Sequence, residues 1–89
     1  MFRLWGKVMK NSKFVNDHVF ELNDPSMSRK DRTDVGLESL SYHFDLQKPM
    51  WLSDNEKDYK QFGKTRFTAQ HFIEEIEFDY FEIEIIEDK

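Results

Sequence analysis

The sequence predicts an α+β fold: a small antiparallel-rich sheet, built from an N-terminal hairpin and a C-terminal strand, packed against one main helix with one or two short helices besides. Three observations carry this. Residues 2–10 and 13–22 are rich in strand formers on either side of Asn11-Ser12, Thr33, Leu37, Leu40 and Phe44 recur at helical spacing, and residues 78–87 alternate apolar with polar side chains.

The first two runs, FRLWGKVMK and KFVNDHVFEL, read as a β-hairpin closed by a two-residue turn. A strict two-residue loop sets Val8 opposite Val15 and Leu4 opposite Val19 on one face, with Met9 opposite Phe14 and Trp5 opposite His18 on the other. Sliding the register by one residue would set Val8 against Asn16, so the apolar pairing favours the first choice. Gly6 marks a bulge or a close approach of another element. Asn23 to Ser28 is loop chemistry, and Ser28 with Asp31 three residues on forms a capping pair ahead of the main helix. Gly36 costs that helix roughly 1 kcal/mol relative to Ala, which a close-packed neighbour would explain. Lys48-Pro49 ends the pattern, and Ser53-Asp54-Asn55-Glu56 has the form of a capping box for a second helix over about 54–62. Thr68 is placed to cap a third turn carrying Phe72, Ile73 and Ile76. In the last strand Phe81, Ile83 and Ile85 share one face, and Tyr80, Glu82 and Glu84 the other.

These elements place Phe2, Leu4, Val8, Val15, Val19, Phe81, Ile83 and Ile85 against Leu37, Leu40 and Phe44. The opposite face then collects Arg3, Trp5, Lys7, Met9, Phe14, His18, Phe20, Tyr80, Glu82 and Glu84. Residues 1–89 make one compact domain, in which nine Phe and two Trp supply a ring-rich core. The absence of Cys excludes disulfides, thiolate metal sites and cysteine nucleophiles. No apolar run approaches the ~18 residues of a membrane span, and the N-terminus lacks the layout of a signal peptide. A cytoplasmic location with no membrane partner is the expectation. Charge is uneven: residues 74–88 hold eight acids and no base, whereas residues 1–73 carry twelve bases against ten acids. If the last strand neighbours the first, Glu82 and Glu84 sit across from Arg3 and Lys7, accounting for much of that acidity without a ligand.

Among chemical motifs, Gly63-Lys64-Thr65 is the ending of a phosphate-binding loop. That loop needs a Gly where Asp58 stands and must open a helix, while Gly63 follows one and reads as its left-handed stop. Residues 64–66 then form a loop leading to Phe67. His18, His43 and His71 lack the spacing of metal ligands, and no nucleophile or oxyanion donor accompanies any of them. No catalytic, metal or cofactor-binding residue is predicted. Nucleic acid is one candidate partner: Arg29-Lys30-Arg32 and Lys57, Lys60, Lys64 and Arg66 supply basic clusters, and Trp5, Phe20 and Tyr80 a stacking platform. Against this stand the two glutamates on the same face and the overall acidity. The rings would instead be core if segment 49–76, with Trp51, Phe62, Phe67 and Phe72, folds over that face. Protein binding makes fewer demands, since an aromatic sheet face rimmed by charge matches the composition of interaction sites.

Taken together, the FRLWGKVMK hairpin, the KPMWL run, FGKTRF and the closing FIEEIEFDYFEIEII resemble a family of short, roughly ninety-residue bacterial proteins known only as uncharacterised. The resemblance implies a small bacterial cytosolic domain and assigns no site residues. The sequence thus leads to a non-enzymatic binding or adaptor domain, without cofactor, acting through a protein partner or self-association. Trp5, Tyr80, Lys64, Arg66, Glu82 and Glu84 are its candidate contact residues. The alternative is a nucleic-acid-associated module using the aromatic face and basic loops.

Overall fold

A computed structural model describes residues 1–88. The chain runs β1 (Phe2–Lys10), β2 (Lys13–Leu22), α1 (Arg29–His43), α2 (Ser53–Phe62), β3 (Lys64–Phe67), a 3-10 turn at Ala69–His71, and β4 (Tyr80–Asp88). The strands form one four-stranded sheet in the order β2-β1-β4-β3, every neighbouring pair antiparallel. This is the α+β architecture the patterning predicts, with one strand more.

The extra strand is β3. Where the sequence reads as a loop from Lys64 to Arg66 leading to Phe67, residues 64–67 pair with β4 from Lys64 opposite Glu84 to Phe67 opposite Phe81. Thr65 and Phe67 turn inward and are buried, so even this four-residue segment alternates. Its shortness and two bases conceal the strand in the sequence.

The hairpin turn is as predicted, with Asn11 and Ser12 both left-handed at φ 53° and 63°. The register is not. Met9 faces Phe14 as predicted, but a bulge between Val8 and Met9 shifts the remainder, so Val8 faces Asn16, Leu4 faces Phe20 and Trp5 faces Val19. The reason is size: the shifted register turns Phe20 and Leu22 toward the helices, where they pack on the core, and leaves the smaller Val19 outside. His18 and Phe20 therefore leave the outer face to which the simple register assigned them, and Val19 joins it. The extra residue, Val15, stays on the helix side beside Val8, Phe44 and Phe78 but is 60% exposed.

Gly6 and Gly36 both serve close approach. A Cβ on Gly36 would stand 2.8 Å from Leu4 Cδ2 and 2.9 Å from Phe20 Cδ2, and one on Gly6 would stand 3.0 Å from Leu40 Cδ1. These contacts bring α1 down onto β1 and β2. Ser28 caps α1 as predicted, its Oγ accepting from Asp31 N at 3.1 Å. Helix α2 starts one residue earlier than its apparent capping box: Leu52 is the N-cap, and Asn55 Oδ1 accepts from Leu52 N at 2.9 Å. Glu56, the expected box partner, instead accepts from Trp51 Nε1 at 2.8 Å. Thr68 precedes only a single 3-10 turn. Beyond it Phe72 is buried, while Ile73 is 80% exposed and outside any helix.

The core comprises Phe2, Leu4 and Val8 of β1, Phe67 of β3, Phe81 and Ile83 of β4, Leu37 and Leu40 of α1, Tyr59 of α2, and Phe72. Trp51 packs edge-on against Tyr59 and tilted against Phe67. Segment 49–76 therefore does not fold over the face bearing Trp5 and Tyr80: Trp51, Tyr59 and Phe72 pack on the helix side, and β3 extends the sheet.

Candidate functional site

The outer face is an ordered grid because facing residues of antiparallel strands share a side. Reading from β2 through β1 and β4 to β3, one row holds Asp17, Lys7, Glu82 and Arg66, and the next holds Val19, Trp5, Glu84 and Lys64. Flanking rows contain Phe14, Met9 and Tyr80 on one side and Glu21, Arg3 and Glu87 on the other. All six candidate contact residues, Trp5, Tyr80, Lys64, Arg66, Glu82 and Glu84, meet on this face.

Its charges alternate and engage one another. Lys7 Nζ lies 2.8 Å from Glu82 Oε2 and 3.1 Å from Glu84 Oε1, and Arg66 Nε lies 2.9 Å from Glu82 Oε1. Burial alone would lower the Lys7 pKa, but its hydrogen bonds to Glu82 and Glu84 outweigh this and hold it above the ordinary value. Burial likewise pushes Glu82 up, and hydrogen bonds from Arg66 and Lys7 bring it below the ordinary carboxylate range. The predicted pairing with the last strand is thus seen for Lys7, whereas Arg3 joins Glu21 and Glu87.

Rings and cations interleave. Trp5 stacks beside Phe14 at 6.2 Å between centroids, donates from Nε1 to Asp17 Oδ2 at 3.0 Å, and carries Lys7 Nζ over its ring at 4.0 Å. The Arg66 guanidinium lies 4.2 Å from the Tyr80 ring centroid. Phe14 is 58% exposed. Of the aromatic residues the sequence assigns to this face, the bulge withdraws Phe20, while Phe14 stays opposite Met9 as predicted and forms the exposed end of the ring row.

The other motifs resolve into structure. Gly63 has φ 68° and its N–H donates to Tyr59 O at 2.9 Å, so the GKT tripeptide closes a helix and opens a strand. His71 is buried, with Nδ1 accepting from Thr68 N at 3.0 Å and Nε2 directed at Asp54 Oδ2 at 3.2 Å. Because a backbone N–H occupies Nδ1, the ring proton sits on Nε2, and both nitrogens are committed. His18 and His43 stack with centroids 3.8 Å apart. Among the described residues no group of three His or acidic side chains could hold a metal ion. The basic cluster at the start of α1 is drawn to the chain's acidic end: Arg29 and Arg32 each lie 3.3 Å from an Asp88 carboxylate oxygen. A groove of about 560 Å³ between α1 and α2 is floored by Leu37, Trp51 and Tyr59, with Arg29, Lys60 and Glu56 on its rim.

Among the described residues no helix is long and apolar enough to cross a membrane. Comparison with known protein families, with curated proteins and with solved structures returns no match.

Proposed function

We propose that this domain is a non-enzymatic binding or adaptor module that acts through protein–protein contacts or self-association, using the outer sheet face. The observation that carries the reading is the grid itself: an uncovered four-stranded face on which Trp5, Phe14 and Tyr80 stand among alternating charges. Aromatic and Arg side chains together are the enriched anchors of protein interfaces. The alternative, a nucleic-acid platform, draws support from the same rings. It is weakened by the charges, because Lys7 and Arg66 already lie against Glu82, and a phosphate would have to displace those carboxylates.

The test uses the full chain and two changes on the outer face. Wild-type protein immobilised in native cell extract should retain a partner or further copies of itself, and both Trp5→Ala and Arg66→Glu should reduce that retention. Recovery of no partner, together with a monomeric mass in solution, overturns the reading. Anisotropy titrations with mixed single- and double-stranded nucleic acid at low salt should show no binding; salt-sensitive binding would establish the alternative instead.

A further inference from the structure

On the outer face each strand carries charge of one sign. β2 presents Asp17 and Glu21, and β1 beside it presents Arg3 and Lys7. β4 presents Glu82, Glu84 and Glu87, and β3 at the far edge presents Lys64 and Arg66. The columns thus run acidic, basic, acidic, basic, and that order reversed is its own complement. A two-fold axis parallel to the strands, midway between β1 and β4, lays β2 over the second copy's β3 and β1 over its β4. Every column then meets the opposite sign. The same operation carries a twisted sheet onto a surface of the same twist, so the two faces keep an even spacing in aligned packing.

Row by row, the axis sets Asp17 opposite the second copy's Arg66, Lys7 opposite its Glu82 and Arg3 opposite its Glu87. Met9 meets Tyr80, Val19 meets Lys64 and Trp5 meets Glu84, so no like charges face each other. Pairing within one copy leaves these groups capacity for a second partner. Asp17 accepts from Trp5 Nε1 through Oδ2, and Arg3 and Arg66 bond their glutamates through Nε; a carboxylate has a second oxygen and a guanidinium further N–H donors. Desolvation opposes the contact only weakly at its centre, because the Lys7 and Glu82 side chains are already just 12% and 9% exposed. Asp17 and Arg66 lie toward the sheet edges, where water still reaches them.

We propose that this chain dimerises by packing its outer face on the same face of a second copy, across that axis. The inference rests on the self-association arm of the function above and names its geometry. Trp5, Met9 and Tyr80 lie on the two central strands and are covered, while the contacts of Asp17 with Arg66 form the charged rim. Because the axis uses each copy's face once, assembly closes at two copies.

Sedimentation equilibrium from micromolar to millimolar protein should show a monomer–dimer equilibrium. Asp17→Arg sets bases together at both symmetry-related contacts and Arg66→Glu sets acids together there, so each alone should weaken the dimer about tenfold. Each variant is the other's complement, and an equimolar mixture should therefore dimerise more tightly than either alone. Within one copy positions 17 and 66 stand three strand spacings apart, about 14 Å, so recovery on mixing reports contact between copies. Far-UV circular dichroism verifies that each variant is folded. Val19→Glu, set opposite the second copy's Lys64, should tighten the dimer, and Val19→Lys should loosen it. A monomer at every concentration, single variants that dimerise as wild type does, a mixture no tighter than its components, or Val19 variants without opposite effects each overturns the pairing. Capture of a different protein that Trp5→Ala abolishes, by a chain that stays monomeric, would overturn this dimer and leave the function above standing.

Discussion

Asn55 joins the stability of the chain to the way its sheet ends. Its Oδ1 accepts from Leu52 N at 2.9 Å, and its Nδ2 donates to Thr65 Oγ1 at 2.9 Å and to Arg66 O at 3.1 Å. One amide thus caps α2, satisfies a buried hydroxyl and takes the outward carbonyl of Arg66 on β3. Asn55→Ala removes all three bonds. At about 1 kcal/mol net for each, and more for any buried group left unpaired, the loss is about 3–4 kcal/mol. A chain of this length has a total stability of roughly 4–13 kcal/mol, so the change is a large fraction of it. Asn55→Asp keeps the acceptor for Leu52 N but sets a carboxylate against Arg66 O, and should cost at least as much. Urea unfolding followed by tryptophan fluorescence gives both values, with Thr65→Ala as a milder comparison at about 1 kcal/mol. If Asn55→Ala lies within about 1 kcal/mol of wild type and Asn55→Asp is no worse, the amide is not the clasp its geometry describes.

Three further outcomes follow from local geometry. Ser12 sits at φ 63°, so Ser12→Gly should raise stability by about 0.5–1 kcal/mol in the same urea assay, glycine being the favoured second residue of this turn. Glu82 is held below its ordinary pKa by Arg66 and Lys7 against the opposing effect of burial; its contribution is present above the unfolded value near 4.5 and is lost as pH falls through the depressed folded value. Unfolding curves compared at neutral and acid pH should therefore show a smaller acid loss in Glu82→Gln than in wild type. Tyr59 is pushed up to about 12 by burial, with its hydroxyl 2.6 Å from Thr33 Oγ1. Stability should be intact below pH 10, the ordinary tyrosine value, and fall by about 2–3 kcal/mol as pH rises through 12. Tyr59→Phe should abolish that alkaline loss while costing about 1 kcal/mol at neutral pH for the Thr33 hydroxyl.

Much of the fold is legible because long periodic segments state their own faces. Phe81, Ile83 and Ile85 alternate with Tyr80, Glu82 and Glu84 without interruption, and Leu37, Leu40 and Phe44 keep one helical stripe. Gly6 and Gly36 announce a close contact between elements that no local pattern joins. What escapes is set by competition between distant parts. In β2 the local rule pairs Val8 with Val15, yet burying Phe20 and Leu22 outweighs it and a bulge absorbs the difference. In β3 the strand exists because β4 offers an edge and Asn55 fills the other side, neither of which is written in Lys64 to Phe67. The six candidate contact residues come together because Glu82 and Glu84 have the right parity on β4, and Lys64 and Arg66 acquire theirs only once β3 forms.

The charge pattern on the outer face also bears on the kind of partner it suits. A surface of one sign attracts opposite charge at long range and binds many polyelectrolytes. Here Asp17, Lys7, Glu82 and Arg66 alternate along one row, so the face has little net field. At contact distance a partner meets a fixed sequence of signs around the exposed Phe14 and the half-buried Trp5 and Tyr80 rings. Such an arrangement contributes register and exclusion of mismatched partners more than attraction, because a like charge set against any member costs free energy while the right alternation restores what desolvation removes. The binding free energy must then come from Trp5, Phe14 and Tyr80, with the ion pairs fixing orientation. It follows that Trp5→Ala should slow no association yet hasten dissociation, whereas Arg66→Glu should alter which partner is accepted. A face working by electrostatic attraction would show the reverse, with Arg66→Glu lowering the association rate and salt abolishing it.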